Sequence, residues 1–223
     1  MICQENFQFL TELSNNNDRD WFDAHKSDFD QYKEEFKRLH KEVEKHMNTH
    51  DQIGGSKVYR IYRDVRFSKD KTPYKTYWAG SFKRATHHLR GGYYYQLQPG
   101  KSYIAGGFFG PNSQDLLHLR KQISQDPEFL NSVLNNKSFK DTFGELTGEK
   151  VKTSPKGFSA DDPAIELLRH KQFLVYKYLT DEEVLGSKLV HMINETFQAM
   201  RPFFDVMSDY LTTDLNGESL LDA

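Results

Sequence analysis

One cysteine, Cys3, is all the chain holds for thiol chemistry. It excludes an internal disulfide, fits a reducing cytosol, and lies where a bystander is expected rather than a nucleophile. No apolar run approaches the roughly 20 residues of a membrane span. The opening MICQENFQFL has no charged stretch leading into an apolar one, so no secretory leader is expected either. The reading is therefore cytoplasmic, with no membrane contact. Metal-ligand spacings are also missing: there is no H-x-x-x-H, no cysteine cluster and no acidic triad. His87 and His88 adjoin on an expected strand and would point to opposite faces. GGFFGP lacks the spacing of a phosphate loop, and no G-x-S-x-G elbow occurs. No metal and no cofactor is expected.

What is present is aromatic and unevenly charged. Disordered chains are poor in aromatics, and 17 Phe with 12 Tyr argue that this one folds. Its 223 residues suit a single domain spanning 1–223, with 212–223 as a frayed polar tail. The formal net charge is −2, yet 57–90 carries ten Lys and Arg against two Asp, which leaves −10 for the remainder. An acidic body with one basic segment says more about partners than the total does.

The local pattern predicts helices, then strands, then helices. Phe22, Phe29, Phe36 and Val43 recur every seven residues and predict one amphipathic helix over 18–48, with Asn17 as its N-cap. After Gly54 and Gly55, the runs KVYRIY, TYWAGSFK, GYYYQLQ and SYIAGGFF read as strands. QPGKS reads as a tight turn between two of them. Helices are expected at 113–124, 127–134 and 162–171, and QFLVYKYL is a fifth strand. Thr180 with Glu183 forms a capping box. Ser187 is read as the cap of a last long helix that Pro202 kinks or restarts. The sum is an α+β fold: a mostly antiparallel sheet of about five strands flanked by long N-terminal and C-terminal helices.

The basic segment YRIYRDVRFSKDKTPYK, 59–75, is the candidate site. With a strand over 58–62, a link of about 14 residues follows, long enough to be functional by length alone. Val65, Phe67 and Tyr74 are expected to anchor it, and Pro73 to stiffen it. Arg60, Arg63, Arg66, Lys69, Lys71 and Lys75 could then meet an anion, with the Ser68 and Thr72 hydroxyls completing the shell. The competing reading has the arginines bonded to Asp64, Asp70 and backbone carbonyls as a latch; a helix carrying Arg60, Arg63 and Arg66 at i, i+3 and i+6 is a further alternative. A second basic loop, KVKTSPKGF, offers Lys152 and Lys156 to close over the same anion. His25, Asp64 and Tyr74 are the candidates for proton transfer. His25, placed on an apolar face, is more often a satisfied core or interface histidine than a catalytic one.

NNNDRDWFDAHK, YRIYRDVRFSKDKTPYKTYW, GGYYYQLQPG, KVKTSPKGF followed by DDPAIELLRHK, and the MRPF of the last helix resemble a widespread bacterial family. It is catalogued as a domain of unknown function, number 2461. The resemblance spans 7–211 and rests most on R-D-x-R-F-S-K-D-K-T-P-Y-K. It implies one domain with a shared, unassigned role, and no reaction or catalytic residue transfers with it. Three functions then fit. The first is binding of a phosphorylated or otherwise anionic small molecule, with or without a reaction on it. The second is nucleic-acid binding, through basic side chains interleaved with aromatics. The third is a non-catalytic interaction module that docks an acidic partner or closes a homodimer.

Overall fold

The computed structural model describes residues 2–221. Its frame is a five-stranded sheet in the order β1-β2-β3-β4-β5, with every neighbouring pair antiparallel. The strands are β1 (Ile53–Val58), β2 (Trp78–Arg84), β3 (Gly92–Leu97), β4 (Ser102–Phe108) and β5 (Phe173–Leu179). Side chains alternate across a strand, which puts Trp78, Phe82, Tyr93, Tyr95, Ile104 and Val175 on one side, all buried. Helices cover that side, and the fold is α+β as expected.

The N-terminal helices are α1 (Gln4–Asn15), α2 (Arg19–Ala24) and α3 (Lys26–Met47). The stripe of Phe22, Phe29, Phe36 and Val43 is buried, but it spans two helices. The single helix expected over 18–48 breaks at His25, where the backbone leaves helical geometry (φ −109°, ψ 20°). Asp18, not Asn17, caps α2, accepting from the Trp21 amide at 2.9 Å. Asn17 is engaged elsewhere. Its Nδ2 donates to the Tyr74 carbonyl at 3.0 Å and its Oδ1 accepts from the Tyr74 amide at 3.1 Å.

The remaining helices are α4 (Ser113–Gln125), α5 (Pro127–Leu134), α6 (Lys137–Phe143), α7 (Ile165–Leu168), α8 (Asp181–Leu185), α9 (Leu189–Ala199) and α10 (Arg201–Thr212). Phe197 of α9 and Phe204 of α10 each meet the Tyr93 ring at 4.9 Å between centroids, which seats both helices on the sheet. The capping box at Thr180 and Glu183 is formed. Ser187 does not cap α9; Lys188 holds that place with no side-chain cap. Pro202 sits in the first turn of α10, where a missing N–H leaves no bond unmade. The helix expected over 162–171 shortens to α7, because Asp162 turns its carboxylate onto the Ala164 amide at 2.8 Å. The segment expected to fray is tied down instead. Leu220 N donates to the Thr212 carbonyl at 2.8 Å, and Gln122 of α4 donates to the carbonyls of Thr213 and Asp214 at 3.0 Å. Residues 222–223 of that tail lie outside the described residues.

Two of the glycines required by position show how the sheet is built. A Cβ on Gly80 would lie 2.5 Å from His40 Nδ1, so only glycine lets α3 approach β2 there. Gly100 turns the β3–β4 hairpin at φ +68°. Among the described residues no helix is long and apolar enough to cross a membrane.

Candidate functional site

The segment 59–75 is a closed loop between β1 and β2. The strand expected at 58–62 forms earlier, with Gly54 and Gly55 inside β1 and a bulge between Ile53 and Gly55. Beyond Val58 the two sides still pair through Tyr59 N to Ala79 O at 2.9 Å, Lys75 N to Ile61 O at 2.8 Å and Arg63 N to Pro73 O at 2.9 Å. Ile61 and Tyr74 anchor it, the Tyr74 ring stacking on Phe22 at 4.0 Å. Phe67, an expected anchor, is 96% exposed at the tip. Polar contacts close the tip without it.

Those contacts occupy two of the three arginines. Arg63 Nη1 donates to Asp70 Oδ2 at 2.6 Å and to the Thr72 carbonyl at 3.0 Å. Arg66 grips Asp64 in a fork, Nε to Oδ1 at 2.9 Å and Nη2 to Oδ2 at 2.7 Å. Thr72 gives its amide and hydroxyl to Asp70 Oδ1 at 3.0 and 2.8 Å. Those bonds, with that of Arg63, hold Asp70 down to about 2. Lys71 donates to the Val65 carbonyl at 2.9 Å, and the Ser68 amide closes a turn onto the same carbonyl at 3.3 Å. Among the described residues Arg60, Lys69 and Lys75 form no ion pair.

The three proton-transfer candidates have separate partners. His25 is half-buried rather than in the core stripe, stacked on Trp21 at 4.0 Å, with Nδ1 2.8 Å from the Trp21 carbonyl. Asp64 is held below the usual carboxylate range by its bonds from Arg66. Burial pushes the Tyr74 phenol up. The second basic loop is also elsewhere. Bridges Thr147–Leu174 and Lys150–His170 attach its base beside the start of β5, whereas 59–75 leaves the end of β1. Four strand steps of about 4.8 Å separate those edges, roughly 19 Å, so Lys152 and Lys156 do not close over the same small anion.

Lys57 and Lys75, neither in an ion pair among the described residues, meet at the other face of the sheet. Register places Lys57, Ser81, Lys83, Tyr94, Tyr103 and Tyr176 on this uncovered side. They line a cleft of about 750 Å³ whose walls include Tyr59 and Phe109. Small residues at Gly55, Ser81 and Gly92 leave it room. Lys57 and Lys75 both lie over the Tyr59 ring, with Nζ 4.7 and 5.3 Å from its centroid. Burial, then the charges of Arg60 and Lys57, pushes the Lys75 ammonium below its ordinary value. Gln96 fixes the tyrosines beside it, its Oε1 accepting from the Tyr94 hydroxyl at 3.1 Å and from Tyr103 at 3.4 Å. Burial raises the Tyr94, Tyr103 and Tyr176 phenols above their ordinary value.

A family model described as a conserved hypothetical protein, DUF2461, matches residues 5–206. The chain belongs to the DUF2461 family. No curated protein and no solved structure gives a significant match.

In this DUF2461 chain the covered face of the sheet holds two polar groups that the sequence did not single out. Arg84 and Asp51 pair at 2.9 Å, with side chains 0% and 1% exposed. Tyr93 donates to Asp51 Oδ2 at 2.6 Å, and Asp205 joins Arg84 at 3.2 Å. His40 lies 2.8 Å from the Tyr95 hydroxyl and 2.9 Å from Ser56 Oγ, and Ser56 donates to Glu44 at 2.8 Å. Burial pushes His40 down to about 4, so it is neutral near pH 7. With the Ser56 proton on Glu44, its oxygen accepts from His40 Nε2–H, and Nδ1 accepts from Tyr95. The histidine therefore donates toward the serine, the reverse of an activated nucleophile. Only an alternation of buried and exposed partners across three elements could have revealed either group.

Proposed function

We propose that this protein binds an anionic ligand carrying a planar ring. The anion meets Lys57, Lys75 and Arg60, and the ring enters the tyrosine-lined cleft. The observation that carries this reading is the pair of ammonium groups over one tyrosine, with no carboxylate partner among the described residues. Like charges held together repel, and a bound anion relieves that repulsion. The loop arginines, engaged with Asp64 and Asp70, hold the segment in shape so that its two ends present Arg60 and Lys75.

A thermal-shift comparison of inorganic phosphate, pyrophosphate, ribose 5-phosphate and nucleoside mono-, di- and triphosphates tests it. A ligand at about 100 times its Kd adds about 2.7 kcal/mol. For a chain of this size that corresponds to a rise of about 5–10 °C. The ring-bearing anions should raise Tm more than pyrophosphate, and Lys57→Gln combined with Lys75→Gln should remove the rise. A flat response across all of these anions, or a rise that survives the double substitution, overturns the reading.

A further inference from the structure

The aromatic surface does not end with the cleft. Tyr59 meets Tyr94 at 5.8 Å between ring centroids, Tyr94 meets Tyr103 at 5.8 Å, and Tyr103 meets Tyr176 at 5.5 Å and Tyr178 at 6.3 Å. Together with Tyr77, which Lys75 covers at 5.8 Å, this places six of the chain's 12 tyrosines on the uncovered side. The strip crosses from the β1 edge to the β5 edge, roughly 19 Å at about 4.8 Å per strand. Tyr178 lies outside the cleft and is 75% exposed, a placement that packing does not explain.

The charge that the strands place on this side is of one sign. Among the described residues none of the five strands contains an Asp or Glu, although the chain has 32 of them. Lys57 and Lys83 project from the strands on this side, and Lys75 stands at the margin. Neutral sugars also stack on aromatic rings, but they are held in place largely through carboxylates and amides bonded to their hydroxyls, and among the described residues the strands and the cleft lining offer no carboxylate. A polymer that alternates planar rings with anions matches both the row of rings and the sign of the charge.

We infer that the tyrosine strip is a platform for single-stranded nucleic acid. About two or three bases would stack along Tyr94, Tyr103 and Tyr178 while Lys57, Lys75 and Lys83 meet the phosphates. This rests on the proposed anion-and-ring reading and extends it from one ring to a strand. Every base has a π-face, so stacking of this kind tolerates sequence. A duplex hides those faces.

Fluorescence anisotropy with a labelled oligo(dT) of about ten nucleotides tests the inference on the full chain. Base–aromatic stacking of about 1–3 kcal/mol predicts that Tyr103→Ala and Tyr178→Ala each weaken binding about 5- to 160-fold. Tyr103→Phe and Tyr178→Phe should retain it. Tyr178 is exposed enough that its loss leaves the thermal midpoint in place, which separates a binding defect from a folding defect. Three phosphate contacts predict a loss of about 20-fold between 50 and 200 mM salt. Lys45→Gln, on the far side of α3, should bind like the parent. A duplex of the same length binding as tightly, or binding indifferent to both tyrosine-to-alanine changes, overturns the inference. If a nucleoside phosphate stabilises the protein but the oligonucleotide binds no tighter than that nucleotide, the strand reading fails while the cleft reading stands. If neither binds, both fail.

Discussion

The two sides of this sheet are built from the same strands, and adjacent residues of GYYYQL serve opposite ends. Tyr93 and Tyr95 are buried under helices, each with its hydroxyl spent on one polar partner, Asp51 or His40. Tyr94, between them, turns to the uncovered side and shares Gln96 with Tyr103. The covered side is closed by α3, α9 and α10 with phenylalanine rings and neutralised buried charges. The other side keeps tyrosines, small residues and unpaired lysines. A period of two residues thus separates what holds the fold from what can meet a ligand. Substitutions on the two sides should separate in the same way.

The largest effect is expected at Asp51. Removing one partner of a buried ion pair strands the other, which costs about 3–5 kcal/mol. Asp51→Ala leaves Arg84 buried with Asp205 as its one carboxylate partner among the described residues and loses the Tyr93 bond as well. For a chain of this size that is a fall of roughly 6–20 °C in Tm. Calorimetry should show it as one shifted transition, since α3, the sheet, α9 and α10 share one hydrophobic cluster from Ile2 to Leu211. Two resolved transitions would break the expectation of a single domain. Ligand affinity, measured well below the midpoint, should be unchanged.

A second test on the covered side uses pH. Burial lowers His40 to about 4 against an ordinary value of 6.5. A histidine with a depressed folded value favours the neutral form in the fold. Its contribution is therefore complete above about pH 6.5, is lost as pH falls toward 4, and changes no further below that. The 2.5-unit gap corresponds to a loss on the order of 3 kcal/mol. Urea midpoints of the parent should drop across that window. His40→Gln should be weaker at pH 7 but flatter between pH 6.5 and 4. An equal slope in the variant would assign the acid sensitivity to other groups.

How far the sequence disclosed this division follows from which interactions are local. The stripe of Phe22, Phe29 and Phe36 and the capping box at Thr180 are set by neighbours in the chain, and both were legible. The start of β1 was not. KVYRIY has the better strand composition, but pairing of Ile53 with Arg84 moves the strand onto two glycines. The basic segment was legible as a loop, and pairing of Arg63 and Arg66 with Asp70 and Asp64 was one of its readings. The tyrosine strip was not legible, because YYY does not say which ring faces the helices until register is known. Nor could spacing show that Lys152 and Lys156 belong to the opposite edge, since that follows from the bridges beside β5.

The smallest expected effect distinguishes latch from site within the loop itself. Arg66 is 76% exposed and its only carboxylate partner among the described residues is Asp64, two residues away. An exposed pair of this kind, screened by solvent, contributes little to stability. Arg66→Ala should therefore move Tm by no more than about 2–4 °C. It should also leave anion binding within about twofold, because the arginine's charge is already matched by Asp64. Lys75→Gln should show the opposite balance. Its ammonium is crowded by Arg60 and Lys57, so removing it relieves repulsion and leaves stability level or slightly raised, while binding of a ring-bearing anion weakens several-fold. Measured side by side, the two substitutions decide which residues of 59–75 carry the ligand. Loss of binding in Arg66→Ala with retention in Lys75→Gln would move the site from the cleft mouth back to the loop tip, beside the exposed Phe67.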